Sequence, residues 1–299
     1  MAHITRRDFI AVTTGTVATL LSDSWRRSAV AGETRGKYMR FGLVTYMWGH
    51  DWDLPTLIEN CETTGTLGVE LRTTHGHGVE PTLNRAERKE VSKRFADSPV
   101  TLVGLGSNER YDNPDSVVVN KAIEATKAFV RLSHDVGGTG VKVKPDRFHE
   151  GVSREKTIEQ IGRSLNVLGE YAAGYGQQIR LEAHGGCARL PTIRSIVDIA
   201  NHENVAVCWN SNPQDLEGNG LEYNYRLVAN RFGATCHIHD LKRSNYPFQD
   251  LLRLMVRDDY DGWLLLEEGK IPDQCVVALA EQVRLFDEMI MHIQKTLGD

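Results

Sequence analysis

Four polar residues, Glu182, Asn210, His239 and Glu267, each close a short apolar run of their own in the C-terminal half of the chain, at 179–182, 205–210, 236–239 and 263–267. If those runs are parallel strands of one barrel, all four side chains emerge on the same rim. Two carboxylates, an imidazole and an amide could there hold a divalent metal. Such a constellation would make the chain an enzyme. Each run carries further polar residues. His184 lies two residues beyond Glu182, and His237 shares a strand face with His239. Glu267 ends the most hydrophobic run of the chain, where a carboxylate without a partner is costly to bury. Glu268 points to the opposite side and is expected in solvent.

The elements that must position these residues can be read back from the pattern. From Arg40 onward, β-like runs at 41–48, 68–72, 100–105 and 140–143 precede the four already named. Helical patterns separate them at 53 onward, 85–95, 115–136, 153–176, 192–200, 222–231, 248–256 and 273–297. Asp53 can cap its helix with Pro55 in the first turn, and Ser153 is the expected cap of the longest helix, ended by Gly176. In that helix Ile158, Ile161, Leu165, Leu168, Ala172 and Tyr175 keep helical spacing. Eight strand-then-helix units over about 260 residues predict a single-domain α/β fold, a (β/α)₈ TIM barrel at 40–299. A doubly wound sheet would need a phosphate-binding turn after its first strand, and Trp48-Gly49-His50-Asp51 is not one.

Residues 1–31 are set apart as a twin-arginine export signal, followed by a short linker at 32–39. Thr5-Arg6-Arg7-Asp8-Phe9-Ile10 precedes a weakly apolar stretch and a small-residue site, Ala29-Val30-Ala31. Export in the folded state to the periplasm is the expectation, with no membrane attachment once the signal is removed. Without the four arginines and two aspartates of that segment the net charge falls from −5 to −7. So acidic a chain is a poor nucleic-acid binder. The five cysteines are odd in number, widely spaced and mostly within apolar runs, which predicts buried thiols rather than a disulfide framework.

The motifs Leu181-Glu182-Ala183-His184-Gly185, His237-Ile238-His239-Asp240 and Tyr260-Asp261-Gly262-Trp263 leading to Glu267 resemble the xylose isomerase-like TIM-barrel superfamily. The group in question is that of the sugar phosphate isomerases and epimerases, which also holds ketose 3-epimerases, inosose dehydratases and endonuclease IV. The resemblance covers roughly residues 40–295. It implies one divalent ion (Mn, Mg, Co or Zn) held by Glu182, Asn210, His239 and Glu267, with Glu182 and Glu267 also moving the proton. At the second ligand the family has Asp and this chain has Asn210. That leaves the site one negative charge poorer, which weakens binding of a hard dication and makes a bound one more electrophilic. Asn210 could bind through its carbonyl oxygen, Asp215 or water could replace it, or no metal binds.

Substrate contacts are expected from His184, His237, Lys142, Lys144, Glu70, Arg72 and His75, with Tyr46 and Trp48 stacking on a sugar ring. A lysine pair directed inward near a metal suits an oxyanion, a phosphate or an enediolate. The implied activity is isomerisation or epimerisation of a sugar or keto-sugar, phosphorylated or not, by proton abstraction through a metal-stabilised enediolate. Two rival readings use the same residues. One is a lyase or dehydratase acting on keto-sugars or keto-glycosides; the other is a carbohydrate-binding barrel without catalysis. The expected partner is a small-molecule carbohydrate. Barrels of this class commonly form homo-oligomers, but no apolar surface stretch designates an interface.

Overall fold

Alternation along each strand decides the architecture, because successive residues point to opposite faces. In β8 (Trp263–Leu266) Leu264 and Leu266 join the large core under the helices, whereas Trp263 and Leu265 join a small separate cluster with Val44 and Val103. The same split recurs around the molecule, with one apolar face toward a layer of helices and a second toward a common axis. The computed structural model describes residues 36–298. The expected export signal lies outside them.

The strands are β1 (Arg40–Val44), β2 (Gly68–Arg72), β3 (Thr101–Arg110), β4 (Gly140–Lys144), β5 (Gln178–Glu182), β6 (Val205–Cys208), β7 (Thr235–Ile238) and β8. Their order in the sheet is β6-β5-β4-β3-β2-β1-β8-β7, every pairing parallel. The ring is completed between β6 and β7 by the isolated bridges Val207–Phe232 and Asn210–His237. The amide of His237 donates to Trp209 O at 2.6 Å and that of Ser211 to His237 O at 3.2 Å. The predicted barrel is therefore present, and its seam lies at the proposed site.

The crossovers are α1 (Leu54–Thr64), α2 (Arg85–Ala96), α3 (Ser116–Val136), α4 (Arg154–Ala173), α5 (Leu190–Ile199), α6 (Gly220–Val228), α7 (Phe248–Arg257) and α8 (Cys275–Gly298). Asp53 caps α1 by accepting from Thr56 N, and Ser153 caps α4 by accepting from Lys156 N. Two details depart from the sequence reading. The longest helix is α8, with 24 residues against 20 in α4, and α4 stops at Ala173 rather than at Gly176. Gly176, with φ 62°, instead turns the chain toward β5. Four cysteines are buried, Cys275 is half-buried, and none is in a disulfide.

The barrel interior is filled from a few strands because others carry glycine there. Arg180 is fully buried and donates to Gln178 Oε1, Val103 O and Thr139 Oγ1 at 3.1, 3.2 and 2.6 Å. A Cβ on Gly104 would lie 2.8 Å from its Nη1, and one on Gly140 would lie 2.9 Å from its Cζ. On the other side, a Cβ on Gly42 would sit 2.4 Å from Gly68 O and 2.6 Å from Leu265 Cδ2. The first of these is backbone and cannot turn away. Gly42→Ala is thus expected to cost about 1–3 kcal/mol by overpacking, seen as a lower urea midpoint with an unchanged slope.

Candidate metal and proton-transfer site

Register brings four side chains together at the C-terminal mouth. Arg180 and Glu182 are successive inward positions of β5, as Trp263, Leu265 and Glu267 are of the β8 segment. The Asn210 amide nitrogen lies 2.8 Å from Glu182 Oε1 and 3.2 Å from Glu267 Oε2. His237 Nδ1 lies 3.9 Å from Glu182 Oε1 and 3.4 Å from Glu267 Oε2. Among the described residues, Glu182, His237 and Glu267 can each offer one ligand atom, all within 4.8 Å of one another.

This set fits a dication. Ligand atoms about 2.1 Å from an ion lie about 3.0–3.4 Å from each other in octahedral or tetrahedral sites, close to the spacings found here. Asn210 Oδ1 and both ring nitrogens of His237 are buried without a hydrogen-bond partner. A half-turn of the Asn210 side-chain amide exchanges its ends and presents that oxygen to a cation. Support for the imidazole comes from behind, where Glu70 Oε1 is 3.3 Å from His237 Nε2 and both residues are fully buried. That is the arrangement in which a carboxylate fixes the tautomer and orientation of a ligating histidine.

Position departs from expectation at four residues. His239 is not in the cluster; its Nδ1 is 2.8 Å from Ser211 Oγ, and its backbone N–H donates to the same oxygen at 3.0 Å. His237 occupies the place expected of His239, because across the closing seam it is His237 that pairs with Asn210, although on the other side Ile238 still pairs with Leu266. Glu70, expected on substrate, lies beneath His237. Asp215 is tied into the turn after β6, accepting from Asn212 N at 2.9 Å and Tyr246 OH at 2.6 Å, with burial pushing its carboxyl up to about 8. Glu268, expected in solvent, is 5% exposed and paired with Arg243.

Charge is balanced within the cluster by Lys142, fully buried with Nζ 2.8 Å from Glu182 Oε2. Burial alone would lower its pKa, but Glu182, Glu267 and Glu70 together raise it and hold it as ammonium. Burial likewise opposes ionisation of Glu182, and is outweighed by Lys142 and His237, which hold that carboxyl well below its usual range. For Glu267, burial and the Glu182 charge are overcome by His237 and Lys142, bringing it to about 2. Both carboxylates are therefore ionised near neutrality. The His237 imidazole would be lowered by burial, yet Cys208, Glu70 and Glu267 raise it well above the usual value.

Around this centre stand the remaining candidates. Lys144 is buried, and burial together with Lys142 lowers it to about 8. Arg72 lies over the Tyr46 ring at 4.6 Å, with Nη2 donating to Asn108 Oδ1 at 3.1 Å and Nη1 3.3 Å from His75 Nε2. His184 Nδ1 is 3.4 Å from Asp146 Oδ1. Trp48 is not a stacking platform: it is 4% exposed, packed in the core, and donates from Nε1 to Lys270 O at 2.6 Å. Sequence reading passed over Asp146, which holds φ 63° and is faced by Arg110, Arg147 and His184. Its signal was positional, an acidic residue two beyond an inward lysine at a strand end.

With fold and geometry in place, the chain belongs to the xylose isomerase-like TIM barrel family, whose model matches residues 58–287. No curated protein matches the sequence significantly. Among solved structures it resembles the apo 3-keto-D-glucoside 4-epimerase of E. coli, with TM-score 0.71 and 14% identity over 84% of this chain and 99% of that one. An L-ribulose 3-epimerase gives TM-score 0.71 and 16% identity over 86% and 96% of the two chains. The IOLI protein with a bound zinc atom gives TM-score 0.69 and 15% identity over 87% and 99%.

The two histidines make separable predictions. On elemental analysis of full-length protein reconstituted with Mn²⁺ or Zn²⁺, His237→Ala should lose the ion while His239→Ala keeps it. Glu70→Gln should retain the ion with affinity weakened about 10–100-fold. The opposite behaviour of the two histidine variants would return His239 to the site.

Proposed function

We propose that the protein is a metal-dependent isomerase or epimerase of a sugar or keto-sugar. The observation that carries this reading is the convergence of two buried, ionised carboxylates, Glu182 from β5 and Glu267 beyond β8, on the single amide of Asn210 at 2.8 and 3.2 Å. Two bases so placed can reach one carbon from different directions. A divalent ion held by Glu182, Asn210, His237 and Glu267 would supply the electrophilic pull on a carbonyl oxygen that acidifies the neighbouring C–H.

The protein's own groups do the rest. One of Glu182 and Glu267 takes the proton from carbon. Return to the opposite face of that carbon inverts it, and return to the adjacent carbon isomerises the sugar. Lys142, fixed on Glu182 Oε2, keeps that carboxylate ionised and oriented, and His184, steadied by Asp146, is placed to hold a hydroxyl. The epimerases among the structural relatives support this reading, as does the zinc of another relative.

Incubation of the Mn²⁺- or Zn²⁺-loaded protein with a panel of keto-sugars in deuterated water should place deuterium at the carbon beside the carbonyl. Glu182→Gln and Glu267→Gln are each expected to lower that exchange by about 10²–10⁴-fold. Full exchange in either variant would remove that residue from the chemistry. A product lacking a hydroxyl or an aglycone would assign the lyase outcome, since elimination begins with the same abstraction. Sugar binding without exchange in any loaded form would instead mark a carbohydrate-binding barrel.

A further inference from the structure

Lys144 and Arg72 are two cations at the mouth that the proposed chemistry does not use. Lys144 is 4% exposed, and its ammonium has neither a hydrogen-bond partner nor a carboxylate within 4.0 Å among the described residues. Arg72 has only neutral partners, Asn108, His75 and the Tyr46 ring, and its Nε is buried without any partner. Both belong to inward positions, Arg72 ending β2 and Lys144 ending β4. β3 lies between them and carries glycine at their level, where Gly106 pairs with Arg72 on one side and Lys142 on the other. A Cβ there would lie 2.9 Å from Glu70 Oε1 and 3.5 Å from both Arg72 Cα and Lys142 Cε, so the space over β3 is already taken by Glu70 and Lys142. Arg72 and Lys144 end their strands on either side of that pair, close enough for the Arg72 charge to act on Lys144.

The charges of the centre are already matched once a dication is in place. Glu70, Glu182 and Glu267 are then offset by the ion and Lys142, and Lys144 and Arg72 remain unmatched. A buried ammonium without a counter-charge is costly, and the missing partner is an anion. We infer that the substrate is itself anionic, a sugar acid or sugar phosphate whose carboxylate or phosphate is received between Lys144 Nζ and the Arg72 guanidinium. The planar guanidinium suits either group through paired N–H donors, with the ammonium closing the third side. This inference rests on the isomerase reading and names the substrate class of that same site.

The test is calorimetric titration of the full chain, loaded with Mn²⁺, with D-fructose, D-gluconate and D-fructose 6-phosphate. At least one of the two anions should bind about tenfold or more tightly than the neutral sugar, as expected for charge-assisted hydrogen bonds to a buried cation. The tighter of the two identifies carboxylate or phosphate as the group received. Lys144→Gln and Arg72→Gln should each shrink the anion-to-neutral ratio toward one, with Mn²⁺ content by elemental analysis and the thermal midpoint of each variant as the check on folding. Equal binding of all three ligands, binding of none, or an unchanged ratio in both variants would overturn the inference. Deuterium exchange into neutral keto-sugars without any anion preference would leave the isomerase reading standing alone. Anion preference without exchange in any sugar would do the reverse.

Discussion

The contact between Lys142 and Glu182 is the interaction on which the mouth of this barrel depends. Both side chains are fully buried, and neither could remain charged there alone, because removing an ion from water costs several kcal/mol even after relaxation. Their mutual attraction admits a carboxylate to the axis of the barrel. Further charges then follow: Glu267 is held ionised by His237 and Lys142, and His237 is in turn braced by Glu70. Removal of one member would leave its neighbours as unpaired charges rather than as a slightly weaker network. Polar chemistry and packing are thus the same problem at this end of the fold.

Space for these charges is made by residues with no side chain. β3 crosses the interior with Gly104 and Gly106, and the room they leave is taken by Arg180 below and by Lys142 and Glu70 above. A Cβ on Gly106 would stand 2.9 Å from Glu70 Oε1. The barrel therefore has a graded interior. Apolar and aromatic groups (Val44, Val103, Trp263, Leu265) and a hydrogen-bonded arginine fill its lower part, and ionisable groups gather at the C-terminal rim. This is the face on which active sites of the fold are built, since the βα loops there vary without disturbing the core.

Much of this was legible in the residues alone. Period-two alternation with apolar outer positions, helix caps at Asp53 and Ser153, and eight repeats of strand and helix specify the barrel through local rules. Glu182, Asn210 and Glu267 could be singled out because each ends an apolar run, and strand ends in a barrel share one rim. Other features were hidden for a physical reason. Trp48 looks like a sugar platform in a string of letters, yet the chain turns just after β1 and drives its ring into the core. Asp146 carries no local signal beyond its place in a loop, and its value comes from Arg110 and His184, which arrive from other segments to join the adjacent Arg147.

The choice between His237 and His239 marks the boundary most clearly. Sequence determined that two histidines share one face of β7, because side-chain direction repeats every two residues whatever the partners are. It could not determine which of them stands level with Glu182 and Asn210. That depends on the stagger between neighbouring strands, which is set by closure of the ring at the Asn210–His237 bridge. Likewise the sequence supplied lysines at 142 and 144, both inward, and only the fold separated their surroundings. Lys142 is enclosed by three carboxylates, whereas Lys144, one inward step higher, has none within 4.0 Å among the described residues. Residue type and period are local properties of the chain; register and charge environment belong to the assembled barrel.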